Sequence, residues 1–204
     1  MRKVAFLLSY VFHPLWTPLL LLGVLWGVDP WIRMHPSVMM YVATVLLINA
    51  LAPAVSIWFL YKRGALGDLE VSNRKERKWP FLMVLFYQVL GYIALTRPGV
   101  YLPPEVLGLV LAMMASLVLA IFVNRRIKMS MHLLANGGAI GGIWAFNQLH
   151  TLGLESVLPL GFLLAGAIGW SRMKLGVHTP KELALGFLVG FTIVRAVVES
   201  GWAL

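Results

Sequence analysis

The sequence predicts an all-α fold, a polytopic transmembrane helical bundle of six to seven spans. Sixty per cent of the 204 residues are hydrophobic and only 12% are charged, whereas a soluble domain is about half apolar and about a quarter charged. The apolar residues form long runs, and the basic residues lie between those runs. A bilayer must therefore solvate much of the surface. The absence of cysteine excludes a disulfide scaffold, and the lack of polar low-complexity stretches excludes disorder.

The spans follow from the length of the apolar runs. A helix needs about 20 mostly apolar residues to cross a hydrocarbon core of about 30 Å. Seven runs are predicted as spans, near residues 4–27, 37–61, 81–96, 105–123, 131–149, 157–170 and 182–200. His13, Pro14 and Pro18 interrupt the first run, which predicts a kinked or re-entrant segment and makes six spans the alternative. Without an internal repeat or a soluble segment, residues 1–204 are predicted to form one domain.

Charge is distributed unevenly over the two sides of the predicted bundle. If the runs alternate in direction, one side holds fourteen bases and four acids, and the rest of the chain holds three bases and four acids. One interpretation is the positive-inside rule, which places the basic loops in the cytoplasm. The other is that part of this charge binds an anion, and both can hold. We expect an integral protein of a bacterial inner membrane, with the basic side cytoplasmic on this counting.

Each of the three long basic loops ends in a signal for the start of a helix. Asn73 followed by Glu76 is typical of a capping box, and Thr179 with Glu182 forms a second one. Ser130 is a good N-cap, which places His132 in the first turn of the next helix. The loops cover residues 62–80, 124–132 and 171–182.

Two histidines of these loops suggest chemistry on a phosphate group. His132 and His178 lie at or near helix N-termini on the same predicted side, and such termini favour bound anions. Arg172 and the bases of the first loop can bond phosphate oxygens. One imidazole can attack phosphorus while the other donates a proton to the leaving oxygen. A carboxylate can fix the tautomer of the attacking ring, and this chemistry needs no metal.

The same residues resemble the signatures of a known family. Ser171, Arg172, His178 and Glu182 form S-R-x5-H-x3-E, which is similar to the third signature of the type-2 phosphatidate phosphatase superfamily. The sequence Ser-Met-His at 130–132 resembles the second signature, P-S-G-H. The segment R-K-E-R-K-W-P at 74–80 lies where the first signature, K-x6-R-P, is expected. The resemblance extends from about residue 62 to the C-terminus, and the three segments occur in the family's order.

This resemblance implies a role for each residue. His178 would be the nucleophile, oriented by Glu182, and His132 would protonate the leaving group and then activate water. The phosphate oxygens would be bound by Arg172, Ser130, Ser171, Arg77, Lys75 and Arg74. The family implies a metal-independent lipid phosphatase without a cofactor. Its substrate would be a lipid phosphate such as phosphatidate, phosphatidylglycerophosphate or a polyprenyl diphosphate, and we expect no nucleic-acid partner.

Other interpretations of the same residues stay open. A second lipid hydroxyl in place of water would make the protein a phospholipid transferase using the same site. The basic side could instead bind anionic lipid without catalysis, or the bundle could be a transporter, although no inverted repeat is evident. Glu182 could serve only as a helix cap. We expect His13, His35 and His150 to be structural.

Overall fold

The computed structural model describes residues 1–201, which form helices and connecting loops with no strand among them. The all-α prediction is therefore confirmed for this part of the chain. The helices are α1 Arg2–Val11, α2 Thr17–Val28, α3 Pro30–Met34, α4 Val38–Val45, α5 Ala52–Lys62, α6 Lys78–Leu95, α7 Pro104–Val123, α8 Met131–His150, α9 Leu158–Lys174 and α10 Pro180–Ser200. A π-helical turn, Leu46–Leu51, joins α4 to α5, and a 3₁₀ turn, Arg74–Arg77, precedes α6.

Four helical segments are long and apolar enough to cross a membrane, by length and composition: Val38–Lys62, Arg74–Leu95, Pro104–Val123 and Pro180–Ser200. The first predicted run is broken, as expected, because α1 ends before the His13-Pro14 pair and α2 starts at Thr17. The hydroxyl of Thr17 donates to the carbonyl of His13 at 3.1 Å, which fixes the break. α1 packs along α9, and α2 packs against α8.

Helix α8 lies at the centre of the bundle, and this explains why fewer spans stand out than the six to seven predicted. It packs against α10, α9, α2 and α7, and most of its residues are buried. A helix that is covered by protein can contain polar residues, because those residues are not exposed to lipid. α8 accordingly contains Asn136 and Asn147, both buried. Length and composition identify the four segments named above and leave α8 and α9 outside that set, and α9 has only 17 residues.

Glycines allow α8 and α10 to approach closely. A β-carbon added at Gly141 of α8 would lie 2.5 Å from the carbonyl oxygen of Phe191, and one at Gly186 of α10 would lie 2.5 Å from that of Ser130. Real side chains do not make such contacts, and backbone on both sides leaves little room to relax. The two helices therefore depend on glycine at these positions.

Replacing Gly141 by alanine is expected to lower the free energy of unfolding by about 1–3 kcal/mol, because the added methyl group overpacks the α8–α10 interface. Gly166 of α9 is the matched control, since a β-carbon there meets no atom within 4 Å. Gly166→Ala should leave stability unchanged or raise it by up to about 1 kcal/mol, as expected for an exposed helical glycine. Thermal unfolding of both variants in detergent would check this, and equal effects would contradict it.

The three basic loops converge at one end of the bundle, here called the basic end. The amide of Asn124 donates to the carbonyl of Arg74 at 3.2 Å, which joins the first loop to the second. Lys128 donates to the carbonyl of Val177 at 2.8 Å, and the backbone N–H of Ser130 donates to the carbonyl of Glu182 at 3.2 Å. The second loop thus contacts both others and brings the three loops together.

The opposite end of the bundle carries a different polar cluster. His150 contacts Asp29 through Nδ1 and Glu105 through Nε2, the latter at 2.9 Å. Asp29 also caps α3 by accepting from the backbone N–H of Trp31 at 2.9 Å. These contacts tie the ends of α2, α7 and α8 together.

Candidate active site

A cavity of about 190 Å³ extends from the basic end into the bundle. Polar side chains from the first and third loops, the α1–α2 break and helices α8 and α9 line its outer part: His13, Glu70, Arg77, His132, Arg172 and His178. Its deeper walls are mostly apolar and come from α2, α6, α7 and α8. The structure therefore places both predicted histidines and two of the predicted arginines around one space.

Arg172 presents unsatisfied hydrogen-bond donors in this cavity. Only 3% of Arg172 is exposed, and its Nη2 donates to Glu70 at 2.9 Å. Its Nε and Nη1 have no hydrogen-bond partner among residues 1–201. Buried guanidinium donors without partners are costly, and a bidentate oxyanion such as phosphate would satisfy them. Arg172 thus presents unpartnered donors in the cavity that both histidines line.

Arg77 connects two loops and also lines the cavity. Its Nε donates to the carbonyl of Val71 at 3.0 Å, and its Nη1 donates to that of Met129 at 2.9 Å. Val71 has a φ of 49°, a left-handed conformation that is unfavourable for a β-branched residue. The bond from Arg77 helps to hold this strained residue in place. Two nitrogens of the Arg77 guanidinium therefore bond to loop carbonyls, and the residue also lines the cavity.

His178 is oriented by a carboxylate. Its Nδ1 contacts Oε2 of Glu182 at 3.0 Å, and the same oxygen accepts from the backbone N–H of Thr179 at 3.1 Å. Glu182 therefore completes the predicted capping box and holds His178 at once. Because Glu182 accepts from Nδ1, the neutral ring leaves Nε2 unprotonated. The geometry thus makes Nε2 the nitrogen that can act as a nucleophile.

The environment of His178 keeps its imidazole neutral. Burial lowers the pKa of His178 from 6.5 to about 4, against the opposing effect of the bond to Glu182. The positive charges of Arg77, Lys128 and Arg172 lower the pKa further. A neutral imidazole has the free electron pair that attack on phosphorus requires. Near neutral pH the ring is therefore in its nucleophilic form.

This pKa predicts how stability depends on pH. Between about pH 4 and pH 6.5 the unfolded chain binds a proton at His178 and the folded chain does not, so the free energy of unfolding should rise with pH. One proton contributes at most about 1.4 kcal/mol per pH unit. His178→Gln, which does not titrate, should lose this part of the slope. Unfolding of both proteins across the range would check it, and identical slopes would contradict it.

His132 is held by the N-terminal segment. Its Nε2 lies 3.1 Å from the carbonyl oxygen of Ser9, so the neutral ring donates its proton there and leaves Nδ1 as an acceptor. The ring of His13 packs edge-on against His132, with 5.2 Å between the centroids. The break between α1 and α2 therefore shapes the histidine part of the cavity.

Four predicted phosphate ligands do not line the cavity. Ser130 is fully buried and caps α8, where its hydroxyl accepts from the N–H of Leu133 at 3.5 Å. Ser171 is also fully buried, and its hydroxyl contacts the carbonyl of Ile168 at 2.7 Å and the hydroxyl of Ser9 at 3.0 Å. Arg74 donates to the carbonyl of Arg125 at 3.0 Å, and the side chain of Lys75 is exposed. These residues shape or surround the site without facing the space between the histidines.

Two charged or titratable residues in the outer part of the cavity were not predicted from the sequence as site residues. His13 was expected to be structural, and Glu70 was counted only among the acids of the basic side. The proline after His13 was a usable signal, because it interrupts an apolar run next to a histidine. Glu70 gave no comparable signal, since nothing in the loop sequence indicates that it pairs with Arg172.

Comparison with known proteins adds no assignment. No family model matches the chain, and no curated protein or solved structure is significantly similar to it. The chemical interpretation of the cavity therefore comes from its residues, from their geometry and from the signature-like segments at His132 and His178.

Proposed function

We propose that the protein is a membrane lipid-phosphate phosphatase that hydrolyses a phosphomonoester or diphosphate of a lipid through a phosphohistidine intermediate. The observation that supports this most strongly is the pair of unpartnered N–H groups on buried Arg172, in the same cavity as His132 and His178. An anion-binding group, a neutral nucleophile and a second proton-carrying ring are the parts that phosphoryl transfer needs.

In the first step, the phosphate binds to Arg172 and Nε2 of His178 attacks phosphorus. The bond from phosphorus to the lipid oxygen breaks, and that oxygen leaves with a proton from His132. The second pKa of a phosphate monoester is about 6, so near neutral pH a fraction of the substrate is still protonated. Nδ1 of His132 takes up this proton and then donates it to the leaving oxygen. The attacking ring becomes positively charged, and Glu182 at 3.0 Å from its Nδ1 stabilises that charge.

In the second step, water attacks phosphorus and displaces His178. Nδ1 of His132 accepts a proton from that water, because its Nε2 stays bonded to the carbonyl of Ser9. The proton on Nδ1 of His132 passes to the released phosphate, which leaves as H2PO4⁻, and both rings return to their starting state. The apolar walls of the cavity beyond the basic end, which include Phe81, Val84 and Leu109, would hold the lipid chain while its phosphate lies at the basic end.

Replacing Glu182 by glutamine is expected to lower kcat at least about 100-fold and to change KM little, because the carboxylate stabilises charge that develops only during attack. Thr179→Ala is the matched control. It removes the other half of the capping box, the hydroxyl that accepts from the N–H of Glu182 at 3.4 Å, and leaves the carboxylate at His178. Steady-state kinetics of both variants would check this. Equal losses would mean that Glu182 acts only as a helix cap.

The proposal is tested by phosphate release from a panel of lipid phosphates in detergent micelles. The panel contains phosphatidate, phosphatidylglycerophosphate, a polyprenyl diphosphate and lipid A phosphate, and we expect turnover of at least one. A new phospholipid formed when a lipid alcohol is added would indicate transfer in place of hydrolysis. No turnover of any substrate by folded protein would contradict both activities.

We also propose that α8 and α9 cross the membrane, giving six to seven spans in a bacterial inner membrane with the basic end in the cytoplasm. Excess positive charge at that end supports this orientation. The chain has no cysteine, so single cysteines can be placed at Arg126 and Glu155, exposed positions at the two ends. An impermeant thiol reagent added to intact cells should label only position 155, and labelling only at 126 would reverse the orientation.

A further inference from the structure

The deep part of the cavity contains three polar side chains from three separate helical segments. Asn49 comes from the π-helical turn, Gln88 from α6 and Ser116 from α7. They are only 7%, 7% and 5% exposed, and Asn49 Oδ1, Gln88 Oε1 and Ser116 Oγ each lack a hydrogen-bond partner in the part of the chain that the structure describes. In a membrane interior such groups are unfavourable unless something bonds to them. All three residues line one cavity, and this arrangement is suited to a bound polar group.

The backbone at Asn49 is shaped by a proline one turn later. Pro53 contributes no N–H, and a proline ring clashes with the carbonyl of the residue four positions earlier, which here is Asn49. The helix widens at this point, and the N–H of Ala52 bonds to the carbonyl of Leu47, five residues back. Such π-helical turns are frequent at functional sites. The amide nitrogen of Asn49 contacts only the sulfur of Met113, at 3.7 Å, which is a weak acceptor.

These three side chains lie well away from the phosphate-binding groups. Gln88 comes eleven residues after Arg77 in the continuous helical segment Arg74–Leu95, which separates them by about 16 Å along the axis. The amide of Asn124 bonds to Arg74, which places Asn124 at the basic end. Ser116 comes eight residues earlier, so it lies about 12 Å from Asn124 along the axis of α7. The wall between the two levels is apolar and includes Phe81, Val84 and Leu117. The cavity thus has a charged outer part, an apolar middle and a polar deep part.

We propose that Asn49, Gln88 and Ser116 form a second subsite, which binds a hydroxyl group carried part-way along the hydrocarbon chain of the lipid phosphate. The proposal rests on the proposed function for the location of the phosphate. The two amide oxygens are acceptors, and the hydroxyl of Ser116 can act as a donor. A ligand hydroxyl can donate to an amide oxygen and accept from Ser116 at the same time. The substrate class is then a lipid phosphate with a hydroxylated acyl chain. Polyprenyl phosphates, whose chains contain only hydrocarbon, fit this subsite poorly.

The test compares two phosphatidates that differ only in a hydroxyl at the middle of one acyl chain. Wild-type protein should show a KM about 10-fold lower for the hydroxylated lipid, the effect of one added hydrogen bond. Gln88→Leu and Ser116→Ala should lose this preference. Thr44→Val is the matched control, because the hydroxyl of Thr44 is already bonded to the carbonyl of Met40 at 2.8 Å, and its preference should not change.

A second readout separates this proposal from the phosphatase proposal. The hydroxylated lipid phosphate should raise the melting temperature of wild-type protein more than the unsubstituted one, whether or not either is hydrolysed. Hydroxyl-dependent stabilisation without phosphate release would retain the subsite and contradict the phosphatase. Turnover without any hydroxyl preference would contradict the subsite and retain the phosphatase. A preference that persists in Gln88→Leu and Ser116→Ala, or the absence of both turnover and stabilisation, would also overturn the subsite.

Discussion

Replacing His178 by alanine is expected to reduce phosphate release from a lipid phosphate to the uncatalysed level, a loss of at least about 10³-fold. The reason is that His178 is the ring with a free Nε2, a carboxylate on its Nδ1 at 3.0 Å and a position beside Arg172 in one cavity. Without it no nucleophile is left to form the covalent intermediate. Phosphate release measured against time, with the same lipid in micelles, would show the effect.

The matched control is His35→Ala. His35 lies between α3 and α4 toward the opposite end of the bundle, where its Nδ1 accepts only from the nearby backbone N–H of Ser37 at 3.3 Å. This variant should keep wild-type turnover. Thermal unfolding of both variants would show whether the buried His178 is also needed for folding. Turnover retained by folded His178→Ala protein would exclude the mechanism.

The intermediate itself offers a second check. A substrate labelled in its phosphate should transfer the label to wild-type protein in an acid-labile, alkali-stable form, as expected for a nitrogen–phosphorus bond. His178→Ala should not be labelled. His132→Ala should accumulate label when the leaving group needs no protonation, as with a nitrophenyl phosphate, because only the later attack of water depends on His132.

Several parts of the site could be predicted from the sequence because local rules determine them. The Thr179–Glu182 capping box is a short-range pattern, and the structure contains it. The i, i+4 spacing of His178 and Glu182 at a helix start brings the two side chains together for the same reason. The convergence of the three basic loops could be predicted because an even number of predicted spans separates each loop from the next.

Other parts depend on tertiary contacts that no local pattern encodes. Ser130 and Ser171 were predicted phosphate ligands, but their hydroxyls are used within the protein, by the cap of α8 and by the backbone of α9 together with Ser9. Glu70 reaches Arg172 across 102 positions of the chain. His13 reaches His132 only because the first apolar run breaks where it does. The number of spans was uncertain for a similar reason, since protein covers α8 and relaxes the demand for apolar residues there.

Replacing Arg172 by leucine is expected to weaken the binding of phosphate to the cavity by about 10²–10⁴-fold, because two hydrogen bonds to a charged group, each of about 1.5–3 kcal/mol, are lost. Inhibition of turnover by inorganic phosphate, or stabilisation of the folded protein by it, would measure this. Arg172→Lys should give an intermediate loss, since lysine keeps the charge but not the planar, bidentate donor arrangement. Comparing the two variants separates the contribution of the positive charge to phosphate affinity from the contribution of the donor geometry.

Glu70→Gln should raise the affinity for phosphate, whereas Arg172→Leu should lower it. The anion site can therefore be tested by a gain of binding as well as by a loss. The carboxylate of Glu70 bonds to Nη2 of Arg172 at 2.9 Å and repels an incoming phosphate. Its removal should tighten phosphate binding by a few-fold, because the side chain is partly exposed and solvent screens the repulsion. Tighter binding in Glu70→Gln with weaker binding in Arg172→Leu would mean that the unpartnered donors receive the anion. An affinity unchanged in both would mean that phosphate binds elsewhere and that the cavity is not the catalytic site.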